Sequence, residues 1–308
     1  MLQIRVVALP EHTAAVLEAA RGQQGAAEIS LFRGASVVPP GDVLLILAAR
    51  ESAGELIAKL RELDIDADGS ISVTAPELVL SHRAEEASRQ APGQGADAVI
   101  WDEVESSVKE DSTLTWTFLT FLVIATQLAG IGIVTNSTIA IVGAMVVGPE
   151  FGPLAGLAFA MVDRNWALAR RSAIALGVGF PVAMAVAAAA AWVSVPLGLV
   201  GADVLLHGNS AVEFIYHPGP YSFIVALLAG AAGMVSLIGR KSAVLVGVFI
   251  SVTTVPAAGF VAVALVLGQP DKAGASALQL LLNLTGIIVA AAAVLIVYRL
   301  LKHQLGRS

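Results

Sequence analysis

The sequence predicts an α-helical membrane bundle of about six transmembrane helices that follows an α+β soluble domain at the N-terminus. Three observations predict this fold class. The 308 residues are 56% hydrophobic and only 14% charged. The mean hydropathy of +0.80 is too high for an ordinary soluble protein. Residues 1–112 hold nine lysines and arginines against nineteen acids, whereas residues 113–308 hold nine against five.

Charge and cysteine content exclude several classes of function. The acidic N-terminal part has no basic patch for nucleic acid, so we expect no nucleic-acid partner. The chain contains no cysteine, which excludes disulfides and thiolate metal sites. Met1–Arg5 lacks the basic start of a signal peptide, so we expect the N-terminus to stay in the cytosol.

Residues 1–82 are expected to form a ferredoxin-like cytosolic domain. Strand-like alternation and helix-like spacing follow one another along this segment in the order βαββαβ, which is the order of the split ferredoxin-like arrangement. No loop in it carries a recognisable site. We therefore expect a cytosolic cap or dimerisation unit, with a ligand-binding regulatory domain as the alternative.

The segment between this domain and the bundle divides into two parts. Residues 83–96 are expected to be a flexible linker, because Pro92, Gly93 and Gly95 cluster there. Residues 97–112 predict an amphipathic elbow helix, with an apolar face opposite an acidic one. Residues 113–302 then form the transmembrane domain, and residues 303–308 form a cytosolic tail.

Six apolar spans can be drawn, and each is long enough to cross the hydrocarbon of a bilayer. They cover about residues 114–134, 137–161, 166–198, 220–238, 242–268 and 275–300. Positive residues follow the second, fourth and sixth spans, whereas the opposite side offers only Lys272. The excess of positive charge in cytoplasmic loops predicts a multi-pass membrane protein with both termini in the cytosol.

An internal repeat relates the second span to the fifth. The stretch from Ser137 to Gly143 and on to Pro149 resembles the stretch from Ser242 to Gly247 and on to Pro256. Each stretch opens the middle span of a three-span unit, and an odd number of spans forces two copies to insert with opposite orientations. We therefore expect two inverted three-helix repeats, which are typical of secondary transporters. The alternative is an ancestral duplication in a channel or scaffold.

The segment around Glu150 is the most informative part of the chain. Glu150 is the only acid inside any predicted span, and a charge at that depth costs about 2.5–3.5 kcal/mol. Prolines remove backbone donors, and the freed carbonyls must be satisfied by protein, water or a bound solute. We therefore predict a substrate or ion site at Glu150, with a structural glutamate as the alternative. The neighbours placed in this site are Gly148, Pro149, Gly152 and Pro153.

Other polar groups are predicted to line the same cavity. They are Gln127, Asn136, Ser137, Ser251, Thr253, Thr254 and Asn283, with Pro256 interrupting the fifth span. Small polar residues also hold membrane helices together, so each of these is open to a purely structural role. Asn283 and Thr254 are the stronger candidates. The sequence shows no nucleophile–base set, phosphate loop or dinucleotide fingerprint, and we expect no cofactor and no resident metal.

The run from Asn136 to Pro153, taken with Ser251–Pro256 and Asn283, resembles an uncharacterised hydrophobic bacterial membrane family. This family is domain of unknown function three-eight-nine, and the resemblance covers about residues 97–302. It implies a membrane topology and a small domain before the bundle, and it brings no established activity.

Transport is the leading hypothesis for function. We expect a secondary transporter or permease for a small solute or ion, with Gly/Pro-broken helices forming a site near the midplane and a cytosolic regulatory domain. The alternative is a channel or ligand-responsive membrane sensor or scaffold gated by the soluble domain. A membrane enzyme ranks third, because one buried acid without a partner is too little for acid–base catalysis. The expected partners are the lipid bilayer, the unidentified solute or ion, and further copies of the chain in a homo-oligomer.

Overall fold

The computed structural model describes residues 1–91, 101–200, 219–239 and 253–305. The chain divides into two compact units, Met1–Val104 and Glu105–Ser308. The division separates the acidic N-terminal part of the sequence from the apolar remainder.

The first unit contains a four-stranded antiparallel sheet with strand order β2-β3-β1-β4. Its core lies between the sheet and two helices, and it takes alternate residues of the central strands, such as Ile4 and Ile46, and the apolar faces of the helices, such as Val16 and Leu56. The alternation follows from the two-residue period of a strand. The elements are β1 (Leu2–Ala8), α1 (Thr13–Arg21), β2 (Ala26–Val37), β3 (Pro40–Ala48), α2 (Arg50–Glu62), α3 (Ile65–Asp68), β4 (Ser70–Thr74) and α4 (His82–Gln90).

Helix α4 occupies most of the segment that the sequence assigned to a flexible linker, residues 83–96. Ser81 caps it by accepting a hydrogen bond from the Ala84 N–H, and Ala84 and Ala87 are buried where α4 packs on β2 and β3. Two small residues three apart were too weak an apolar signal to predict a packed helix. The glycine-rich part of the predicted linker, residues 92–96, lies outside the described residues.

The second unit is helical. Its elements are α5 (Trp101–Asp111, which starts in the first unit), α6 (Trp116–Val134), α7 (Thr138–Val147), α8 (Phe151–Asp163), α9 (Trp166–Ser194), α10 (Pro220–Ile238), α11 (Thr254–Val266) and α12 (Pro270–Leu305). In the described part of the chain, four helices are long and apolar enough to cross a membrane, namely α6, α9, α10 and α12. The pair α7 and α8 makes a fifth if it is counted as one span.

The predicted second span is broken in two. Helices α7 and α8 are bent by 49° at a break of three residues, Gly148 to Glu150. Pro149 ends α7 because it has no N–H for the helix to use. Pro153 has a different role from the one expected: it is the third residue of α8, in the first turn, where backbone N–H groups need no helical partner.

The predicted fifth span, residues 242–268, is described only from residue 253 onward. This part contains α11, an apolar helix of 13 residues with Pro256 in its first turn. Ser242–Gly247, the first part of the internal repeat, lies outside the described residues, and so does Ser251.

Candidate functional site

Helices α8 and α11 begin at the same place and run in opposite directions along α12. The Ser276 hydroxyl donates to the Ala257 carbonyl at 3.0 Å, and Asn283 Nδ2 donates to Thr253 Oγ1 at 2.9 Å, so α11 runs antiparallel to the first half of α12. Helix α8 leaves the same point, and its last residue, Asp163, forms an ion pair with Arg299. It therefore runs in the same direction as the second half of α12.

Glu150 lies where the two helices begin. It is the N-cap residue of α8 and only 7% exposed. Its Oε1 accepts a hydrogen bond of 2.5 Å from Thr254 Oγ1 in the first turn of α11. Helix N-termini carry partial positive charge, so both helices favour a negative charge on this carboxyl group.

The second oxygen of Glu150 is unsatisfied. Oε2 is buried and has no hydrogen-bond partner among the described residues. An unpaired buried acceptor costs about 1–3 kcal/mol, and such groups in a native structure call for an explanation, often a bound ion, water or ligand. One half of the carboxyl group is thus held by protein, and the other half is open to a ligand.

A chain of side chains extends the site along α12. Asn283 Oδ1 accepts a hydrogen bond of 3.2 Å from Gln279 Nε2, and Gln279 and Asn283 are both buried. Gln279 Oε1 is a second buried acceptor without a partner in the described part of the chain. The cluster of Glu150, Thr253, Thr254, Gln279 and Asn283 therefore joins the starts of α8 and α11 to the middle of α12.

Gln279 and Ser276 were missed by the sequence reasoning, although a signal was present. Ser276, Gln279 and Asn283 stand at spacings of three and four, which place them on one face of a helix. The polar stripe interrupts an otherwise apolar helix and marks the side of α12 that faces α11. Of these three residues only Asn283 was named from the sequence, because the spacing between them was not considered.

The glycines around Glu150 allow atoms to approach that a side chain would block. A Cβ at Gly148 would overlap Glu150 Oε2 and would lie 2.8 Å from Val255 Cγ2. A Cβ at Gly152 would lie 2.6 Å from the Asp111 carbonyl oxygen and 2.8 Å from Asp111 Cβ. Both glycines are therefore required by the packing, one beside the carboxyl group and the other beside the end of α5.

Three predicted site residues do not join this cluster. Asn136 is exposed in the turn between α6 and α7, with a positive φ of 50°, and Ser137 caps α7 by accepting from the Ala140 N–H. Both lie at the end of α7 opposite the break. Gln127 Nε2 donates to the Val186 carbonyl at 3.1 Å, which links α6 to α9. These are local structural roles for polar side chains.

The comparisons with known proteins agree with the resemblance read from the sequence. A family model described as "Domain of unknown function (DUF389)" matches residues 145–289, a narrower range than 97–302. The uncharacterized protein MJ0678 of Methanocaldococcus jannaschii is 21% identical over 259 residues, covering 84% of this chain and 77% of that protein. No solved structure matches the chain. Residues 145–289, which hold Glu150 and the rest of the polar cluster, are therefore the part of the chain that is similar to this uncharacterised family.

Proposed function

We propose that the protein is a secondary transporter of a small solute or ion. The observation that carries the proposal is the common origin of α8 and α11 at the buried Glu150. A helix of 13 residues is about 20 Å long at 1.5 Å per residue, which is less than the roughly 30 Å of a bilayer's hydrocarbon core. Interrupted helices of this kind form the midplane substrate and ion sites of many secondary transporters.

The chemistry of Glu150 supports the same proposal. A permanent charge is expensive within a membrane, so acids in transmembrane segments commonly belong to ion pathways and proton relays. Glu150 keeps one oxygen on Thr254 and leaves the other unpartnered among the described residues. In a transport cycle this oxygen takes up a proton or a cation and releases it on the other side. We assign no enzymatic activity to the protein.

Two inverted three-span repeats are part of the proposal. Helices α6 and α10 each have 19 residues, and α8 and α11 each have 13 residues with proline at the third position. The packing is reciprocal as well, since α8 packs on α12 and α11 packs on α9. Superposition of the two halves in an experimental structure tests this, and an axis along the membrane normal would contradict it.

We propose a regulatory role for the N-terminal unit, with a ferredoxin-like fold and assembly into a homo-oligomer. The strand order β2-β3-β1-β4 supports that fold, because β3 separates the strands of the first βαβ unit, as in the split arrangement. The mass of the purified protein in detergent tests oligomerisation, and a monomeric mass would contradict it.

The proposed topology is completed by six spans. The protein lies in the bacterial inner membrane, and both of its termini are in the cytosol. The positive residues after the second, fourth and sixth predicted spans support it. Because the chain has no cysteine, single cysteines introduced by Asn209→Cys and Gly306→Cys can be labelled in intact cells. An impermeant reagent should reach only the first. Equal labelling of both from outside would contradict the topology.

Transport is tested in proteoliposomes that enclose a pH-sensitive or sodium-sensitive dye. Inward gradients of amino acids, organic acids, sugars and inorganic ions are applied in turn. At least one should drive ion movement through the wild-type protein, and Glu150→Gln should abolish the coupling because it removes the exchangeable charge. A steady ion current that no solute changes would favour the channel alternative over the transporter. The absence of any ion movement in every condition would favour the sensor.

A further inference from the structure

A second feature of the break is a cavity on the side of Gly148 and Pro149 that faces α5 and α6. Its volume is about 470 Å³. The backbone of the break forms one wall. The rest is lined mainly by apolar side chains such as Phe118, Phe121 and Leu237, with hydroxyl and carboxyl groups from the end of α5 and the start of α6 among them. The polar lining residues are Glu110, Asp111, Thr113, Thr115 and Thr117.

Gly148 stands between this cavity and the unpartnered oxygen of Glu150. It lines the cavity, and a Cβ at Gly148 would overlap Glu150 Oε2. Glu150 itself does not line the cavity. Because Gly148 has no side chain, no Cβ at this position blocks the approach from the cavity wall to Oε2.

The charges around the cavity are negative. Among the described residues, the titratable groups on its walls are Glu110 and Asp111, and α6, α7 and α11 contain none. Asp163 and Arg299, at the far ends of α8 and α12, form an ion pair with each other. Burial, and then the charge of Glu110, raise the pKa of Asp111. A cleft lined by one sign of charge concentrates ions of the opposite sign.

The available ligands favour a hard monovalent cation. The cluster offers carboxylate, hydroxyl and amide oxygens, which suit hard cations, and it has no soft ligand. One carboxylate neutralises one positive charge. The described residues contain no group of three or more acids or histidines that could hold a metal ion, which argues against a divalent site of that kind.

We propose that a small monovalent cation such as Na⁺ reaches Glu150 Oε2 from this cavity, past Gly148, and binds there as the coupling ion. The inference rests on the proposed function because it names the ion that drives transport. Gly148 is the narrow point of the route, and Asp111 attracts the cation to its mouth.

The test uses the purified full-length protein in detergent and an apolar carbodiimide, which modifies protonated carboxyl groups shielded from water. Mass spectrometry of the peptide that contains Glu150 measures the rate of labelling, with Glu150→Gln as the blank. In excess Na⁺ the rate should fall about tenfold or more, because mass action leaves few sites empty. The same concentration of choline should leave the rate unchanged. Equal rates in Na⁺ and choline would overturn the proposal.

Two variants test the route. Gly148→Ala should abolish the protection by Na⁺, because the new methyl group occupies the space of Oε2. Gly143→Ala, within α7, should retain it, because a Cβ there meets no atom within 4 Å. Full protection in Gly148→Ala would overturn the route.

A third variant, Asp111→Asn, tests the route if Gly148→Ala does not fold. It should raise the Na⁺ concentration needed for protection several-fold, and an unchanged concentration would overturn the route.

This experiment and the proteoliposome assay can fail separately. Protection by Na⁺ without any coupled flux would leave a cation site in a protein that is not a transporter. Proton-coupled flux without protection of Glu150 by Na⁺ would support the proposed transporter and contradict the proposed cation site.

Discussion

Asp42 in the first unit and Glu150 in the second are two acids with similar burial and different surroundings. Asp42 is 6% exposed and Glu150 is 7% exposed, and each accepts a hydrogen bond from a threonine. Asp42 is satisfied on both oxygens, since Oδ1 accepts from the Gly34 N–H and Oδ2 accepts from Thr13 Oγ1, both at 2.8 Å. Glu150 is satisfied on Oε1 alone among the described residues.

The difference separates a structural acid from a candidate functional one. Asp42 holds the β2–β3 hairpin to the start of α1, and nothing about it calls for a ligand. Glu150 has a comparable fraction of its surface buried, but it leaves an acceptor open at the start of two helices. Burial alone therefore does not single out an acid as a candidate for function, whereas burial with an incomplete set of hydrogen bonds does call for an explanation such as a ligand.

The largest expected effect is on coupled flux in proteoliposomes. Glu150→Gln should abolish it while leaving the protein folded, because glutamine keeps the shape and the hydrogen bond to Thr254 but has no exchangeable charge. Asp42→Asn, the matched change of the other buried acid, should leave the flux at the wild-type level. Unchanged flux in Glu150→Gln, with a loss of stability only in Glu150→Ala, would make Glu150 a structural residue like Asp42.

The next effect concerns the apolar core of the first unit. Leu56 is fully buried, whereas Leu78 in the same unit is 73% exposed. In residues 1–91 expressed alone, Leu56→Ala should lower the free energy of unfolding by about 2–5 kcal/mol, the range for a buried leucine. Leu78→Ala should change it by less than about 0.5 kcal/mol. Denaturant unfolding measures both. Similar losses would contradict the place of Leu56 in the core, and the absence of a cooperative transition would mean that the unit does not fold without the bundle.

The sequence predicted the elements whose periodicity is local. The strand of β1, the helical face of α2 and the apolar spans each follow from a repeat of two or more like residues. The presence of a break near Glu150 followed from Gly148 and Pro149. Helix α4 was not predicted. The burial of Ala84 and Ala87 stabilises it only against the surface of a sheet whose strands are distant in sequence.

Four of the five residues of the cluster were named from the sequence, but Gln279 and the arrangement of the cluster were not. Glu150, Thr254 and Asn283 could be singled out because polar residues are rare in apolar spans. The contact of Glu150 with Thr254 spans 104 positions, and no local pattern encodes it. Asn136 and Ser137 were included as polar residues beside the predicted spans, but the length of α7 separates them from Glu150.

A smaller effect tests the contribution of α4. Residues 1–91 should be more stable than residues 1–82 by roughly 1–2 kcal/mol, from the burial of two methyl groups at about 0.8 kcal/mol each. Thermal or denaturant unfolding of the two fragments gives the difference. Ala87→Ser in the longer fragment should remove part of it. Equal stability of the two fragments would mean that α4 does not stabilise the unit and that residues 83–91 act as a linker.

The smallest effect is the pH dependence that Asp42 gives to the first unit. The Gly34 N–H and then Thr13 lower the pKa of Asp42 below its ordinary value of 3.8. The carboxylate therefore stabilises the folded unit above that value, and the stabilisation is lost as the pH falls through the folded pKa. In Asp42→Asn this contribution is absent at every pH. The gap in unfolding free energy between wild type and Asp42→Asn should thus be constant near neutral pH and should narrow below 3.8.

Denaturant unfolding of residues 1–91 at a series of pH values measures this gap. Leu78→Ala serves as the control, since its gap should not depend on pH. A gap that stays constant in acid would mean that Asp42 contributes through shape alone.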